Sequence, residues 1–234
     1  MRLEEARKEL RKYSSKKQAK ALQRFFKTGK GEYAQGDIFL GVRVPDARKV
    51  CLKFQDLPVK ETFKLLRSPI HEERLLSLLI LIRKYAKASE KEKANIFNSY
   101  LKHTKFINNW DLVDLSAHHI VGAFIINKDK KLLYQLAKSN LLWERRIAVL
   151  ATFYFIKNRK FVESLKISEL LISDKHDLIH KAVGWMLREL GKRDQPVEEA
   201  FLDKHAHLMP RTMLRYAIER FPEEKRKKYL KGKI

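Results

Sequence analysis

The chain has 234 residues, of which 44% are hydrophobic and 34% charged, and its formal net charge is +23 at pH 7. This much apolar surface can offset the entropy of ordering the chain, which excludes an intrinsically disordered protein. No apolar run approaches the roughly 20 residues that a membrane span needs, and neither a signal-peptide core nor a lipidation motif is found. We therefore expect a cytoplasmic protein without a membrane partner, folded as a single domain over residues 1–234.

The composition favours helix along nearly the whole chain. Only 8 Gly and 6 Pro occur, while the abundant Leu, Lys, Arg, Glu and Ala are good helix formers. The sequence therefore predicts an all-α fold. The excess of 51 Lys and Arg over 28 Asp and Glu destabilises a compact state by self-repulsion, which a polyanion would relieve. Nucleic acid is the first candidate partner, because neutralised phosphates release their counterions.

In chain order, the residues up to about Phe26 read as one or two helices. They are followed by a polar loop over residues 27–37 and by the segment IFLGVRVPDARKV. The loop lacks the ending of a phosphate-binding loop, so either a flexible connector or a DNA contact near residues 29–36 remains open. The single cysteine, Cys51, falls in an apolar helical phase, and we expect it in the core.

Five later segments resemble one another, and each opens with a polar turn and continues as an apolar helix. They begin at His71, Trp110, Trp143, Leu178 and Pro210, at intervals of roughly 32 to 39 residues. Shorter amphipathic helices from about Ser89 and Lys128 lie between them, and most prolines fall at helix starts. The unit is thus a helix pair, and stacked pairs of this size form an α-solenoid whose concave face would be basic and suit a duplex.

The histidines do not form a metal-binding pattern. His71 and Glu72 begin like a zinc-binding helix, but the second histidine one turn later is missing, so we interpret this stretch as a helix start. The pairs at 118–119 and at 205 and 207 have no cysteine or carboxylate nearby at ligand spacing. We expect neither a metal nor a cofactor.

The stretch NNWDLVDLSAHHIVG carries the first candidate site residues. Trp110 and Asp114 stand four apart and so share one face of a helix. In a purely structural interpretation, Trp110 is a packing anchor and Asp111 is a first-turn acid favoured by the helix dipole. That interpretation leaves Asp114 unexplained, because it lies beyond the first turn of an otherwise apolar helix.

Two further stretches combine aromatic and basic residues. LLWERRIAVL places Arg146 near the start of an equivalent helix, where it could contact a ligand or simply pair with Glu144 on an exposed face. In KAVGWMLREL, Lys181 and Arg188 bracket Trp185. This arrangement is typical of a nucleic-acid contact and equally of a core tryptophan flanked by basic side chains that reach solvent.

Together these stretches make the chain resemble the AlkD-type DNA alkylation repair enzymes, a family built from HEAT-like repeats. FLGVRVPDAR, NNWDLVDLSA, LLWERRIAVL and KAVGWMLRE carry the resemblance, in the family's order and over nearly the whole chain. It implies a DNA glycosylase that excises cationic N3- and N7-alkylated purines from double-stranded DNA, without metal, cofactor or base-reading pocket.

Carried over by motif, the resemblance implies an aromatic pair, Trp110 and Trp185, a catalytic carboxylate, Asp114, and a phosphate contact, Arg146. Where some family members have a second tryptophan directly before the catalytic one, this chain has Asn109. Four further basic residues of these stretches complete the predicted DNA-binding set: Arg43, Arg48, Lys181 and Arg188.

Two other functions remain open at the level of the sequence. The same basic face could bind distorted or branched DNA without excising a base, although such a binder would not need the set of Trp110, Asp114 and Trp185. A helical-repeat scaffold for an acidic protein is the third hypothesis. We expect a monomer without an obligate protein partner.

Overall fold

Helices follow one another along residues 2–232, the part of the chain that this computed structural model describes, and they group into two units that divide after Ser116. The first unit contains α1 Arg2–Arg11, α2 Lys16–Phe25, α3 Val44–Lys53, α4 Val59–Leu66, α5 His71–Lys87, α6 Glu90–Lys102 and most of α7 Trp110–Ala117. The only β pairing among the described residues is a single bridge between Ile38 and Ile70.

The second unit begins with a π-helical turn, His118–Gly122, which continues into the short helix α8. Its helices are α8 Ala123–Ile125, α9 Lys131–Ala137, α10 Leu142–Lys157, α11 Val162–Leu170, α12 Asp177–Gly191, α13 Gln195–His205, α14 Arg211–Ala217 and α15 Glu223–Leu230. Short 3₁₀ turns at Thr104–Phe106 and Ile218–Arg220 complete the described helices.

Each unit is built around a long apolar helix. In the first unit, α5 packs against α3 and α4, and its residues from His71 to Leu81 are all buried. In the second unit, α12 packs against α10 and α14. The all-α class is therefore confirmed, while the single domain over residues 1–234 and the concave basic face remain predictions.

The local signals at helix starts are confirmed. Ser89 caps α6 in a capping box, in which the Glu92 carboxylate accepts a hydrogen bond from the Ser89 backbone N–H. Pro58, Pro210 and Pro222 occupy the position before the first helical residue, where a missing N–H costs nothing.

Two further observations concern the burial of the single cysteine and the length of the apolar helices. Cys51 is buried in α3, as expected, and burial raises the pKa of its thiol to about 11. Within residues 2–232, every helix is too short or too polar to cross a membrane.

Close helix packing in the second unit depends on glycine. A Cβ atom on Gly184 of α12 would overlap the backbone oxygen of Met213 and lie 2.6 Å from the Cβ of Tyr216, both on α14. A Cβ atom on Gly122 would similarly overlap the backbone oxygen of Ala151 on α10. At both positions a larger residue would push the two helices apart.

We predict that Gly184→Ala lowers the free energy of unfolding by about 1–3 kcal/mol, because the added methyl group overpacks the α12–α14 contact. Urea denaturation measures the change. The control is Lys166→Ala on the exposed face of α11, which should stay within about 0.5 kcal/mol of the wild type. Equal stability of the two variants would show that α14 can yield without cost.

Candidate functional site

The start of α7 is set by a buried asparagine. Asn109 is fully buried, and its Oδ1 accepts a hydrogen bond from the backbone N–H of Trp110 at 2.8 Å. Its backbone carbonyl accepts from Val113 N at 3.1 Å, which begins the helix. Asn109 therefore points into the protein at the position where some relatives carry a second tryptophan, and it adds no aromatic surface there.

The indole of Trp110 is partly exposed and rests on two phenylalanines of the first unit. It stacks on Phe26, with 5.2 Å between ring centroids and 25° between planes. Phe25 meets it edge to face at 5.9 Å and 73°. These contacts fix the plane of the indole, so one side of it is held against the protein.

Asp114 lies one turn after Trp110 and is also partly exposed, whereas Leu112 and Val113 between them are fully buried. The charge of Asp114 also affects a buried side chain of the first unit. Burial raises the pKa of Tyr100, whose hydroxyl shares a 2.8 Å hydrogen bond with Ser116, and the Asp114 charge raises that pKa further. The predicted pair thus lies on one partly exposed face of a helix whose other face is buried.

A charged network that the sequence did not reveal lies behind Trp110. His71, at the start of α5, is buried, and its Nε2 lies 2.8 Å from Asp111 Oδ2 on α7. Its Nδ1 lies 3.4 Å from Asp37 Oδ2, and Arg74 Nη2 lies 2.8 Å from the same Asp37 oxygen. Asn108 donates to Asp37 Oδ1 at 3.1 Å. One histidine and one arginine therefore join the loop before α3 to the starts of α5 and α7.

This network favours the imidazolium form of His71. Burial lowers the pKa of His71, but the charge and hydrogen bond of Asp111 and the hydrogen bond of Asp37 outweigh burial and raise it overall. For Asp37, burial raises the pKa, and the hydrogen bond from His71 and the charge of Arg74 more than reverse this. The ring of His71 also stacks on Phe39 at 4.4 Å and contacts Phe26 at 5.1 Å.

From the sequence, His71 is predicted only as a helix start and Asp111 only as a first-turn acid. Both positions are confirmed, but each side chain has a second role as a partner in the buried pair. A signal was present: four consecutive polar residues, His71 to Arg74, cannot all face solvent from one helix, and all four are buried. The residues that satisfy His71 lie 34 and 40 positions away, at Asp37 and Asp111.

The second unit contains the other predicted tryptophan. Trp185 on α12 lies 6.0 Å from Phe153, measured between ring centroids. The ammonium of Lys157 lies over the Phe153 ring at 4.3 Å from its centroid, and the guanidinium of Arg193 lies over it at 5.9 Å. The cations over Phe153 are thus Lys157 and Arg193 rather than the predicted Lys181 and Arg188, and a nucleic-acid contact at Trp185 stays a prediction.

Three predicted DNA-binding residues of the second unit are engaged within the protein. Lys181 pairs with Asp177 at 2.6 Å, and Arg188 bonds to Glu219. Arg146 is 4% exposed and donates to the backbone carbonyl of Leu178, so little of its surface remains for a phosphate. The exposed alternative, in which Arg146 faces solvent beside Glu144, is therefore wrong, while a phosphate contact by Arg146 stays a prediction.

Arg43 and Arg48 lie at and near the start of α3 and are exposed. Arg43 Nε is 3.4 Å from Asp46 Oδ2, an ion pair of small value because the guanidinium is exposed. Both guanidinium groups are accessible to a polyanion. Among residues 2–232, no group of three or more His, Cys, Asp or Glu side chains is arranged to hold a metal ion.

We predict that the stabilising effect of His71 depends on pH. Its folded-state pKa is raised, so its contribution is present in full below the unfolded value of about 6.5 and is lost as pH rises through the folded pKa. The pKa of Asp37 is lowered, so its contribution is present above about 3.9 and is lost as pH falls through its folded value.

His71→Asn should therefore lower the free energy of unfolding by about 3 kcal/mol near pH 5.5 and by clearly less near pH 9. Urea denaturation of the variant and the wild type at both pH values measures this, with Lys91→Ala on the exposed face of α6 as the control. A loss of the same size at both pH values would mean that His71 acts only by packing.

Known proteins resemble this chain over nearly its whole length. A family model described as "DNA alkylation repair enzyme" matches residues 6–221. Among solved structures, the chain is similar to a protein from Enterococcus faecalis described as a predicted DNA alkylation repair enzyme, with a TM-score of 0.68 and 14% sequence identity. The similarity covers 90% of this chain and 97% of that one, and at this identity it establishes the shared helical fold. No curated protein sequence matches the chain. The match over nearly all of its length shows that this chain belongs to the DNA alkylation repair enzyme family.

Proposed function

We propose that this protein is a DNA glycosylase that excises cationic N3- and N7-alkylated purines from duplex DNA, with water as the only co-reactant. The observation that carries the proposal is the pair on α7. Trp110 and Asp114 are both partly exposed, one turn apart, on a helix with fully buried residues between them. Family membership supports DNA as the substrate.

Cleavage of the glycosidic bond of a cationic purine requires no proton transfer from the protein. An N3- or N7-alkylated purine is already positively charged, so when the C1′–N bond breaks, the bonding electrons neutralise the base and it leaves without accepting a proton. The sugar is left with an oxocarbenium-like positive charge. Water then adds to C1′ and loses a proton to solvent, which completes the hydrolysis.

In this proposal Asp114 stabilises the developing sugar cation. A carboxylate held in a partly buried setting interacts with a nearby cation more strongly than it would in bulk water, and its geometry is fixed before the reaction begins. Asp114 would also orient the attacking water. A cationic base or sugar over the face of Trp110 would gain about 0.5–2 kcal/mol, depending on how far it is desolvated.

In the second unit, Trp185 would likewise offer an aromatic face to a cationic base or sugar. Phe153 lies beside it, with the cations of Lys157 and Arg193 over its ring. The proposed phosphate contacts are the exposed Arg43 and Arg48, together with Lys181, Arg188 and Arg146. Such contacts position DNA without reading its sequence, so selectivity would come from the charge of the lesion.

We predict that Asp114→Asn slows the excision of 7-methylguanine by at least about 100-fold and leaves the affinity for undamaged duplex within a few-fold. The amide keeps the shape of the side chain but removes the charge that opposes the sugar cation. A single-turnover assay that converts abasic sites to strand breaks measures the rate. Asp129→Asn, an exposed carboxylate of the second unit, is the control and should keep the wild-type rate.

A wild-type rate in Asp114→Asn would overturn the catalytic assignment. Tight binding of duplex with no excision by the wild type would instead favour the non-catalytic binder of distorted or branched DNA.

We also predict that the protein releases 7-methylguanine but not uracil from otherwise identical duplexes. The proposed mechanism assigns no proton donor to the leaving base, so the lesion must supply its own activation. Each tenfold factor in rate corresponds to about 1.4 kcal/mol, and a stable neutral nucleotide should fall short by several such factors. Comparable release of the two bases would reveal a general acid and would rule out the mechanism proposed here.

A further inference from the structure

A run of basic residues near the start of the chain is not part of any site described above. Residues 10–31 contain eight Lys or Arg and no Asp or Glu. Arg11 and Lys12 pair with Glu73 and Glu9. The other six are exposed and have no ion pair within residues 2–232: Lys16, Lys17, Lys20, Arg24, Lys27 and Lys30.

The cations of α2 form a line. Lys16, Lys20 and Arg24 recur every four residues and therefore share one face of the helix. At 1.5 Å per residue they span about 12 Å, and a DNA strand presents one phosphate for every 3.4 Å of its axis. The line therefore matches the length of about three to four successive phosphates.

The helix is held firmly although none of its ten residues is buried. At its start, Ser15 N donates to the Leu40 carbonyl at 2.9 Å, and a Cβ atom on Gly41 would overlap the backbone oxygen of Ser15. Gly41 also has a φ of +81°, so glycine is required there for two reasons. The Glu72 carboxylate accepts hydrogen bonds from the backbone N–H groups of residues 40, 41 and 42 and anchors this contact in the core.

The end of the helix leads directly to the candidate site. Phe26, the first residue after α2, is buried and stacks between Phe39 at 5.1 Å and Trp110 at 5.2 Å. Phe25 points the other way. It is 64% exposed, yet its ring is fixed by edge contacts to Phe26 at 5.1 Å and to Trp110 at 5.9 Å. A large apolar ring exposed beside a line of unpaired cations is typical of a surface that binds a ligand with both phosphates and flat bases.

We propose that Lys16, Lys20, Arg24 and Phe25 form a docking surface for duplex DNA, here called the α2 edge. The three cations contact consecutive phosphates of one strand, and Phe25 packs against the sugar and base next to the nucleotide that faces Trp110. The role of Phe25 at the lesion rests on the proposed function, whereas the phosphate contacts do not. Phe25 supplies from α2 the aromatic surface beside Trp110 that the buried Asn109 does not provide.

The phosphate contacts are tested by the salt dependence of binding to undamaged duplex. Replacing Lys16, Lys20 and Arg24 together with alanine should reduce the magnitude of the log–log slope by about two to three, since each lost phosphate contact removes about 0.9. The matched control removes three exposed, unpaired lysines of the same unit, Lys60, Lys87 and Lys91, and should change the slope by less than about one. Equal changes in the two triple variants would overturn the α2 edge.

The role of Phe25 is tested with Phe25→Ala and Phe25→Trp. We expect Phe25→Ala to slow single-turnover excision of 7-methylguanine by about tenfold, or about 1.4 kcal/mol, without altering the salt slope, and Phe25→Trp to restore the rate. A wild-type rate in Phe25→Ala would overturn this part. If the wild-type protein excises nothing, the proposed function fails, and affinity for duplex carrying a tetrahydrofuran abasic site then decides the role of Phe25. A several-fold loss in Phe25→Ala would support its contact with DNA, and an unchanged affinity would refute it.

Discussion

The first unit depends on one buried histidine held between two carboxylates. His71 joins Asp111 at the start of α7 to Asp37 in the loop before α3, and Arg74 completes the charge balance from the next turn of α5. Removing any partner would leave a buried charge without compensation, which is far more destabilising than losing an exposed ion pair. These buried contacts therefore fix the start of α7, and they also fix the positions of Trp110 and Asp114 on it.

The same contacts carry through to the surface. The His71 ring stacks on Phe39 and touches Phe26, and Phe26 in turn stacks on Trp110. One face of the indole is thereby occupied by the protein, and Phe25 is held exposed at its edge. Rigid aromatic surfaces of this kind suit a substrate that binds by charge and stacking. A strongly positive protein attracts DNA, and a carboxylate such as Asp114 can then favour a cation locally within that positive field.

Much of the helical framework could be predicted from the sequence because its signals are local. The starts of α5 and α7 at His71 and Trp110, the capping box at Ser89 and the burial of Cys51 all follow from nearby residues. The buried network could not be predicted, because Asp37 and Asp111 reach His71 only after the chain has folded. Phe25 and Phe26 are adjacent and chemically identical, and only the packing of α2 decides which is exposed. The burial of Arg146 could not be predicted either, because it donates to the backbone carbonyl of Leu178, and a backbone acceptor cannot be recognised from residue types.

The central claim is that Asp114 stabilises a positive charge on the sugar, and the most direct measurement is a comparison of two abasic analogues in the same duplex. One carries a pyrrolidine, which is cationic at neutral pH, and the other carries the neutral tetrahydrofuran. We expect the wild-type protein to bind the cationic analogue more tightly by at least about tenfold, or about 1.4 kcal/mol, and Asp114→Asn to lose that preference. Equal affinity of the wild-type protein for the two duplexes would contradict the role given to Asp114.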